Sequence, residues 1–313
     1  MLKLLAHRIA LSIPLILLVS VVVFALESLV PGDPAQTVLG QAATPESIAA
    51  LHQQMGLDQP WPERYWNWLS GLLHGNLGTS LFTGDDVVSA LNTRLGITVS
   101  LVLCCVVVSA VVGTALGLFS AVRGGPAARV VDVLSLAGLA LPNFWVAIVL
   151  VALFAVKVRL FPATGYVPFA ESPGQWARSL VLPVIALSLF GITAVAKQAR
   201  DSALDVLDTD YIRVLRGNGV AESRIVFKHV LRNAAIPVVT VLGVVAVSML
   251  SGTVFVEGVF VLPGLGSLAT QATTDHDLPV ILGIGVYFTV VVIVINLLVD
   301  LAYGVLNPKV RAS

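Results

Sequence analysis

Residues 97–121 read ITVSLVLCCVVVSAVVGTALGLFSA, a run of 25 residues without a charged side chain. A helix needs about 20 mostly apolar residues to cross a bilayer, so this run predicts a membrane span. Five comparable runs lie near residues 9–30, 130–156, 180–197, 236–257 and 280–304. Of all 313 residues, 57% are hydrophobic and 12% are charged, about half the charged fraction of ordinary soluble domains. The pattern predicts an all-α polytopic membrane protein with six transmembrane helices.

The first apolar run follows Lys3 and Arg8, as the apolar region of a secretory signal would. It is longer than such a region, and Pro31-Gly32-Asp33-Pro34 stands where small residues of a cleavage site are expected. We interpret residues 1–30 as a short inner terminus followed by a retained first membrane helix.

The orientation is predicted by lysine and arginine, which accumulate in the cytoplasmic loops of membrane proteins. With the N-terminus inside, thirteen of the eighteen basic residues lie on the inner side: Lys3, Arg8, Arg123, Arg129, Lys197, Arg200, Arg213, Arg216, Arg224, Lys228, Arg232, Lys309 and Arg311. The outer side has the other five: Arg64, Arg94, Lys157, Arg159 and Arg178. Both termini are therefore expected to be cytoplasmic.

The predicted outer segment, residues 31–95, carries two helix patterns. Thr44, Pro45 and Glu46 form an N-cap, a first-turn proline and an acidic first turn, and Gly56 is placed to end that helix. A second stretch has three tryptophans and Tyr65, side chains that favour the membrane–water interface. We expect this segment to rest on the membrane as a cap.

The loop between the fourth and fifth runs, residues 197–237, is long, charged and predicted to be cytoplasmic. Thr209 or Asp210 can cap a helix starting at Tyr211, Gly219 can form a tight turn, and Glu222 can open a second helix towards Pro237. Basic residues at 224, 228 and 232 form one stripe of that second helix, beside an apolar stripe at 227 and 231. From the residues alone, this knob is either a lever that docks into another protein or an ordered loop on anionic headgroups.

The stretch from Gln198 to Gly219, QARDSALDVLDTDYIRVLRGNG, closely resembles the coupling loop of ABC importer permeases, specifically the dipeptide/oligopeptide/nickel family. Motifs resembling that family extend over almost the whole chain: Pro31–Pro34, GNLGTS at 75–80, LRNAAIP at 231–237, EGVFVLPGLG at 257–266, and NLLVDLAY at 296–303 followed by Asn307-Pro308-Lys309. The chain departs from the family at Val214 and Leu215, where alanine is common, and at Asn307–Lys309, where an aspartate and an arginine are usual.

The resemblance implies a type I ABC importer permease fold. The five-helix core would occupy residues 96–304 and include the cytoplasmic coupling loop at 198–235. The first helix would wrap a partner permease, and residues 305–313 would form the cytoplasmic C-terminus. The expected location is the bacterial inner membrane.

The resemblance also implies the partners and the energy source. They are a second homologous permease, two ATPase subunits that bind ATP and Mg, an extracytoplasmic binding protein and the surrounding lipid bilayer. The chain has no G-x-x-x-x-G-K-[ST] motif and no Gly-Lys dipeptide, so it is expected to be a transport subunit without its own ATPase chemistry. Its zero net charge gives no bulk attraction to nucleic acid, and no such partner is expected.

The expected function is to form half of the passage for di- or oligopeptides, with nickel chelates, glutathione or oligosaccharides as alternative cargo. A self-contained secondary transporter or channel is the alternative class, but no repeat of the kind common in such proteins is evident. An intramembrane hydrolase is a further class, for which no nucleophile–base motif appears.

Candidate site residues fall into two groups. The residues expected to couple to the ATPase are Asp210, Tyr211, Ile212, Arg213, Arg216, Gly219, Arg224 and Lys228. Ionisable groups and prolines within spans mark functional positions, and the passage or gate candidates are Pro142, Glu257, Phe260, Pro263, Gly264, Asn296 and Asp300. Pro142 is expected to kink the third span, and Asn296 and Asp300 are expected to pair with neighbouring helices. The scattered histidines and the adjacent Cys104 and Cys105 predict no metal, catalytic or cofactor site.

Overall fold

The structure, a computed structural model, describes residues 2–27, 29 and 32–306. Pro31 of the first outer motif and the predicted terminal motif at Asn307–Lys309 lie outside these residues. Over the described ranges, the α-helices are α1 Leu2–Glu27, α2 Pro34–Leu39, α3 Pro45–Met55, α4 Trp61–Leu73, α5 Val87–Val108, α6 Thr114–Arg123, α7 Gly125–Ala140, α8 Asn143–Leu150, α9 Pro173–Leu207, α10 Asp210–Gly217, α11 Glu222–Arg224, α12 Leu231–Phe260, α13 Leu265–Asp275 and α14 Leu278–Leu306. A 3₁₀ turn at Gly40–Ala42 and wider π turns at Ser109–Gly113, Val151–Lys157 and Ile225–Val230 continue neighbouring helices.

Over their described residues, the predicted apolar runs lie mainly on helices, and the run at 130–156 is divided at Pro142. Four continuous helical stretches are long and apolar enough to cross a membrane: Val87–Arg123, Pro173–Leu207, Glu222–Phe260 and Leu278–Leu306. Shorter apolar helices occupy Ala10–Leu26 and Asn143–Lys157. The predicted fourth run is extended at both ends in α9, and the helix predicted to run towards Pro237 continues through it to Phe260. Proline is tolerated inside membrane helices because neighbouring groups satisfy the freed carbonyl.

The third span differs from its prediction at Pro142. Helix α7 ends at Ala140, Pro142 is extended with φ −65° and ψ 133°, and α8 begins at Asn143. Proline disfavours the helical conformation in the residue before it, and its own φ suits the start of a new helix. The carbonyl of Pro142 accepts the first hydrogen bond of α8, from Val146 at 3.1 Å. Pro142 therefore divides two helices instead of kinking one.

Two compact units make up the described chain. One contains the described residues through Thr98 together with Pro263–Ile293, and the other contains Val99–Leu262 with the described residues from Val294. The boundary passes through the segment predicted as a single core, residues 96–304. Each unit has its own packed interior.

The unit that begins at Val99 is built around α9, which packs against α6, α7, α8 and α12. Small residues allow the backbones to approach closely, as is usual between membrane helices. A Cβ on Gly117 would lie 2.4 Å from the carbonyl oxygen of Ala196, and one on Gly191 would lie 2.4 Å from Oγ of Ser109. These two glycines hold α9 at a distance that larger residues exclude.

In the other unit, aromatic side chains join α1 to α4. Phe24 is 2% exposed and meets the rings of Trp61 and Tyr65 edge-on, with centroids 5.4 and 5.5 Å away. The hydroxyls of Ser20 and Tyr65 are hydrogen-bonded at 2.9 Å. This contact positions α4 against the end of α1.

The predicted outer helix at residues 45–55 is confirmed, with its signals in place. The Thr44 hydroxyl accepts a hydrogen bond from the Ser47 amide, and the Thr44 amide donates to the Ser47 hydroxyl. Gly56 ends the helix in the left-handed conformation, at φ 65°. Further along the same unit, the buried Asp277 carboxylate accepts hydrogen bonds from the Ser80 hydroxyl and the Leu81 amide. That contact holds the loop after α4 at the start of α14.

Candidate functional site: the coupling segment

Residues 208–230, hereafter the coupling segment, connect α9 to α12. They form the short helix α10, a turn at Gly219, the single turn α11 and the π turn that leads into α12. Helix α10 begins at Asp210, one residue before the predicted start. Thr209 occupies the N-cap position, but its hydroxyl donates backwards to the Val206 carbonyl at 2.6 Å and makes no capping bond. The predicted order of helix, glycine turn and helix is present.

Gly219 has φ +73°, in the left-handed region that L-residues rarely adopt. Its amide donates to the Arg216 carbonyl at 3.0 Å, and the Val220 amide donates to the Leu215 carbonyl at 3.1 Å. A Cβ at Gly219 would meet no atom within 4 Å. The requirement for glycine therefore comes from the backbone conformation and not from lack of space.

A bidentate ion pair spans the glycine turn. The Arg216 guanidinium donates two hydrogen bonds to the Glu222 carboxylate, at 2.7 and 3.1 Å. These bonds raise the pKa of Arg216. Arg213 and Asp210 form a second pair at 2.8 Å within α10. Arg213, Arg216 and Asp210, all predicted to contact an ATPase, thus form ion pairs inside the segment. Glu222, predicted only to open the second helix, takes part in one of them.

The interior of the segment is apolar. Ile212 is 0% exposed and packs in a cluster with Leu118, Ala203, Ile225 and Val230. It was predicted as a contact residue, but its side chain lies in the core instead of on the surface that a partner would touch. The cluster packs α10 against α6 and α9.

The π turn at Ile225–Val230 changes the predicted faces of the second helix. It turns Ile225 and Val230 inwards, and it leaves Phe227 69% exposed. Leu231, expected to share the apolar stripe with Phe227, instead packs against the interior cluster. A wider turn rotates successive side chains by less than an α-turn does, so the predicted 3.6-residue periodicity does not hold here.

The exposed side chains of the segment combine apolar groups with free cations. Tyr211, Val214 and Phe227 are 42%, 61% and 69% exposed. Within the described part of the chain, Arg224 and Lys228 have no carboxylate partner. Val214 and Phe227 were not predicted as site residues, because a sequence does not distinguish an exposed apolar residue from a core one. Exposed apolar groups beside free cations are typical of a surface that binds another protein.

Tyr211 also links the two parts of the segment. Its hydroxyl accepts a hydrogen bond from the Asn233 side chain at 3.2 Å, and its ring lies 6.2 Å from that of His229. Tyr211 therefore holds α10 against the start of α12 while part of its ring stays exposed.

The passage candidates on α12 are buried. Glu257 is 0% and Phe260 2% exposed, and the Phe260 carbonyl accepts a hydrogen bond from the Gly165 amide at 3.0 Å. Val261, at φ 52°, ends the helix in the left-handed conformation. These contacts tie the end of α12 to the loop before α9. The gate role of Glu257 and Phe260 stays a prediction.

The remaining passage candidates lie in different surroundings. Gly264, after Pro263, is the N-cap residue of α13, and the next amide, that of Leu265, donates to the Thr98 hydroxyl at 2.8 Å. On α14, Asn296 is exposed and Asp300 is half-buried. Their predicted pairing with neighbouring helices stays a prediction. Over the described residues, no group of three or more His, Cys, Asp or Glu side chains is placed to hold a metal.

Comparison with protein families gives two matches along the chain. Residues 113–312 match the family described as binding-protein-dependent transport system inner membrane component. Residues 1–102 match the N-terminal family of the same membrane components. The chain belongs to this family. It is a permease subunit of an ABC importer of the peptide-transport type and a multi-pass inner membrane protein, so it works with an ATPase and a binding protein.

Curated relatives of this permease cover nearly its full length. A putative peptide transport system permease of Brucella abortus (strain 2308) is 40% identical over 99% of both chains. A probable peptide ABC transporter permease of Sinorhizobium fredii is 35% identical over 97% of this chain and 98% of its own. The glutathione transport system permease of Pectobacterium atrosepticum is 37% identical over 96% and 95%, respectively.

Among solved structures, the permease is similar to a chain of the inward-facing MetNI methionine ABC transporter. The TM-score is 0.55 at 16% identity, over 70% of this chain and 97% of the other. At that identity the likeness concerns the fold. The predicted fold class, an all-α membrane protein with six transmembrane helices and the type I ABC importer permease fold, is confirmed.

Proposed function

We propose that this permease forms half of a passage for di- or oligopeptides and that ATPase subunits drive it through the coupling segment. The passage would be completed by a second homologous permease, and two ATPase subunits would bind ATP and Mg beneath the pair. An extracytoplasmic binding protein would deliver the peptide. Both termini and the coupling segment would be cytoplasmic, as the distribution of lysine and arginine predicts.

The observation that carries this proposal is the construction of the coupling segment. Its ion pairs and the buried Ile212 make the segment rigid. The exposed side chains of Tyr211, Val214 and Phe227 form a surface that a partner protein can contact. A loop that only rested on headgroups would need its basic residues but no bidentate pair across a glycine turn. A rigid segment clamped to α6 and α9 is suited to transmit force from a closing ATPase.

The proposed mechanism is a shift between two states of the passage. ATP-driven closure of the ATPases would bring the two coupling segments together and turn the passage from inward-facing to outward-facing. Such a switch requires that ATP and loaded binding protein favour one state over the other. The permease itself would carry out no chemistry.

Peptide cargo is supported by the names of the relatives, several of which are described as peptide permeases. The glutathione permease among them is consistent with the same class, because glutathione is a tripeptide. Nickel chelates and oligosaccharides remain alternatives for the assay.

The test is purification of the tagged permease in mild detergent, with its partners identified by mass spectrometry. Recovery of a second permease and ATPase subunits, with ATP hydrolysis stimulated by binding protein and peptide, is the expected result. A chain that is recovered alone and moves solute without ATP would overturn the proposal and identify a self-contained transporter.

A further inference from the structure

A cavity of about 400 Å³ lies between the outer helices α3 and α4, the end of α1 and the start of α14. Its lining combines apolar groups with hydrogen-bond donors, including Phe24, Gln53, Arg64, Asn67, Trp68 and Leu282. Its volume is in the range of pockets that hold small ligands. The coupling mechanism makes no use of this cavity.

Among the described residues that line the cavity, Arg64 carries the charge. Its guanidinium carbon lies 5.7 Å from the centre of the Phe24 ring. Over the described residues, its side chain makes no ion pair and no hydrogen bond. Stacking on a ring leaves the in-plane N–H donors of a guanidinium unused. Burial lowers the pKa of Arg64, which means that its charge is disfavoured where it stands. An anion in the cavity would accept hydrogen bonds from these donors and would stabilise the charge.

Trp68 also lines the cavity. Its Nε1 is buried and has no hydrogen-bond partner in the part of the chain that the structure describes. Because that nitrogen has almost no accessible surface, the cavity is lined by the ring of Trp68 and not by its N–H donor. Trp68 lies one helical turn after Arg64 on α4, which places both side chains on one side of that helix.

The surroundings favour a lipid as the source of the anion. Helix α1, which contributes Phe24, exposes Leu18, Val22 and Leu26 by 61%, 45% and 58%. Helix α4 exposes Trp66 by 64%. Exposed leucines on a membrane helix contact acyl chains, and tryptophans lie at headgroup depth. A phospholipid beside α1 would have its headgroup at the level of the cavity.

We propose that this cavity binds the phosphodiester of an anionic phospholipid, with the Arg64 guanidinium as the donor. The lipid would fasten α4 to the end of α1 in the outer leaflet. Trp68→Phe tests the packing of the cavity wall, because it keeps an aromatic ring and removes only an N–H that the lipid does not reach. Phenylalanine also removes an unsatisfied group, so the lipid-free variant should be at least as stable to heat as the unsubstituted protein.

The experiment is native mass spectrometry of the purified permease complex, titrated with phosphatidylglycerol and separately with phosphatidylcholine. Loss of the charge-assisted hydrogen bond should weaken phosphatidylglycerol binding about tenfold in Arg64→Gln, whereas Trp68→Phe should stay within about twofold. The matched controls are Arg123→Gln, whose guanidinium lies 5.8 Å from the Phe119 ring, and the exposed Trp66→Phe. Both controls should stay within about twofold of the unsubstituted protein.

The proposal would be overturned by equal phosphatidylglycerol binding in all four variants. It would also be overturned if the unsubstituted protein bound the two lipids equally and Arg64→Gln changed neither affinity. Competition arms distinguish other sources of an anion. Displacement of phosphatidylglycerol by trialanine or by inorganic phosphate at comparable concentration would assign the cavity to a peptide carboxylate or a free anion, and it would reject the lipid. None of these outcomes depends on ATPase coupling, so failure here leaves the proposed transport function intact.

Discussion

The coupling segment and residues 32–86, a described part of the predicted outer segment and hereafter called the outer segment, are assembled from the same parts. Each has short helices, a threonine at a helix start and a glycine in the left-handed conformation, Gly219 in one and Gly56 in the other. They differ in how their cations are used. Arg216 is held by Glu222 inside the coupling segment, whereas Arg64 of the outer segment has an aromatic ring as neighbour.

The difference indicates what each segment contacts. In the coupling segment, the internal ion pairs stiffen the backbone, and the exposed surface includes apolar side chains that suit a protein partner. In the outer segment, the aromatic cluster packs around the buried Phe24 ring and a cavity with hydrogen-bond donors remains, which suits a small anionic group. Substitutions can test whether the coupling segment acts as a lever and the outer segment as a ligand site.

The largest effect is expected for Gly219→Val. A β-branched residue at φ +73° costs on the order of 1–3 kcal/mol and should open the turn. Peptide-stimulated ATP hydrolysis by the assembled complex should fall at least about tenfold, while membrane insertion is unchanged. Gly219→Asn is the control, because asparagine tolerates the left-handed conformation and should retain most of the activity. Full activity in Gly219→Val would contradict the lever.

The next effect separates contact from packing within the coupling segment. Phe227→Ala should reduce stimulated ATP hydrolysis about fivefold with little change in thermal stability, because its ring is 69% exposed. Ile212→Ala leaves a cavity in the interior cluster and should lower the unfolding free energy by about 2–4 kcal/mol. The readouts are ATPase activity and a thermal melt of the complex. Equal loss of stability in both variants would contradict the exposure of Phe227.

A smaller effect is expected for the bidentate pair. Glu222→Gln should reduce stimulated ATP hydrolysis about two- to threefold, since the pair is exposed and contributes up to about 1 kcal/mol. The double variant Arg216→Glu/Glu222→Arg restores the attraction and should recover activity, whereas Arg216→Glu alone should not. A double-mutant cycle measures the coupling directly. Independent, additive effects would show that the pair does not hold the turn.

The smallest effect concerns pH in the outer segment. Partial burial acts to raise the pKa of Asp33, but the hydrogen bonds from His52 and the Ala35 amide outweigh it and lower that pKa below its usual 3.8. The ionised carboxylate therefore adds stability that is present above pH 3.8 and is lost as the pH falls through the lower folded value. Asp33→Asn should speed hydrogen exchange of the Thr37 amide about twofold at pH 6, relative to the unsubstituted protein at the same pH.

At the acid end of the titration, the two proteins should exchange alike, because both residues are then neutral. A difference between them that persists well below the pKa of Asp33 would mean that capping geometry, and not charge, is responsible. His52→Gln serves as the control for loss of the ring contact at 2.7 Å.

Local signals in the sequence were sufficient for the outer helix at 45–55 and for the glycine turn at 219, since caps and left-handed positions depend on nearby residues. They were insufficient at Pro142, because a proline can either kink one helix or separate two helices. They also misplaced the face of the helix after Glu222, because a π turn leaves no signature in residue spacing. Ile212 could not be distinguished from its exposed neighbours without knowing what α6 and α9 bring against it.

Composition and charge alone determined that this chain spans a membrane, because no soluble core accommodates runs such as 97–121, and its motifs were enough to assign it to the importer permeases. Only the tertiary structure decided which arginines pair with carboxylates inside the protein and which, among the described residues, do not. As residue types in the sequence, Arg216 and Arg64 are the same. Folding places a carboxylate six residues away, across a turn, against Arg216, so that this arginine forms an ion pair. It places an aromatic ring forty residues away beside Arg64, so that the donors of that arginine stay available for the proposed anion. Such neighbours are brought together by folding, and local residue preferences do not encode them.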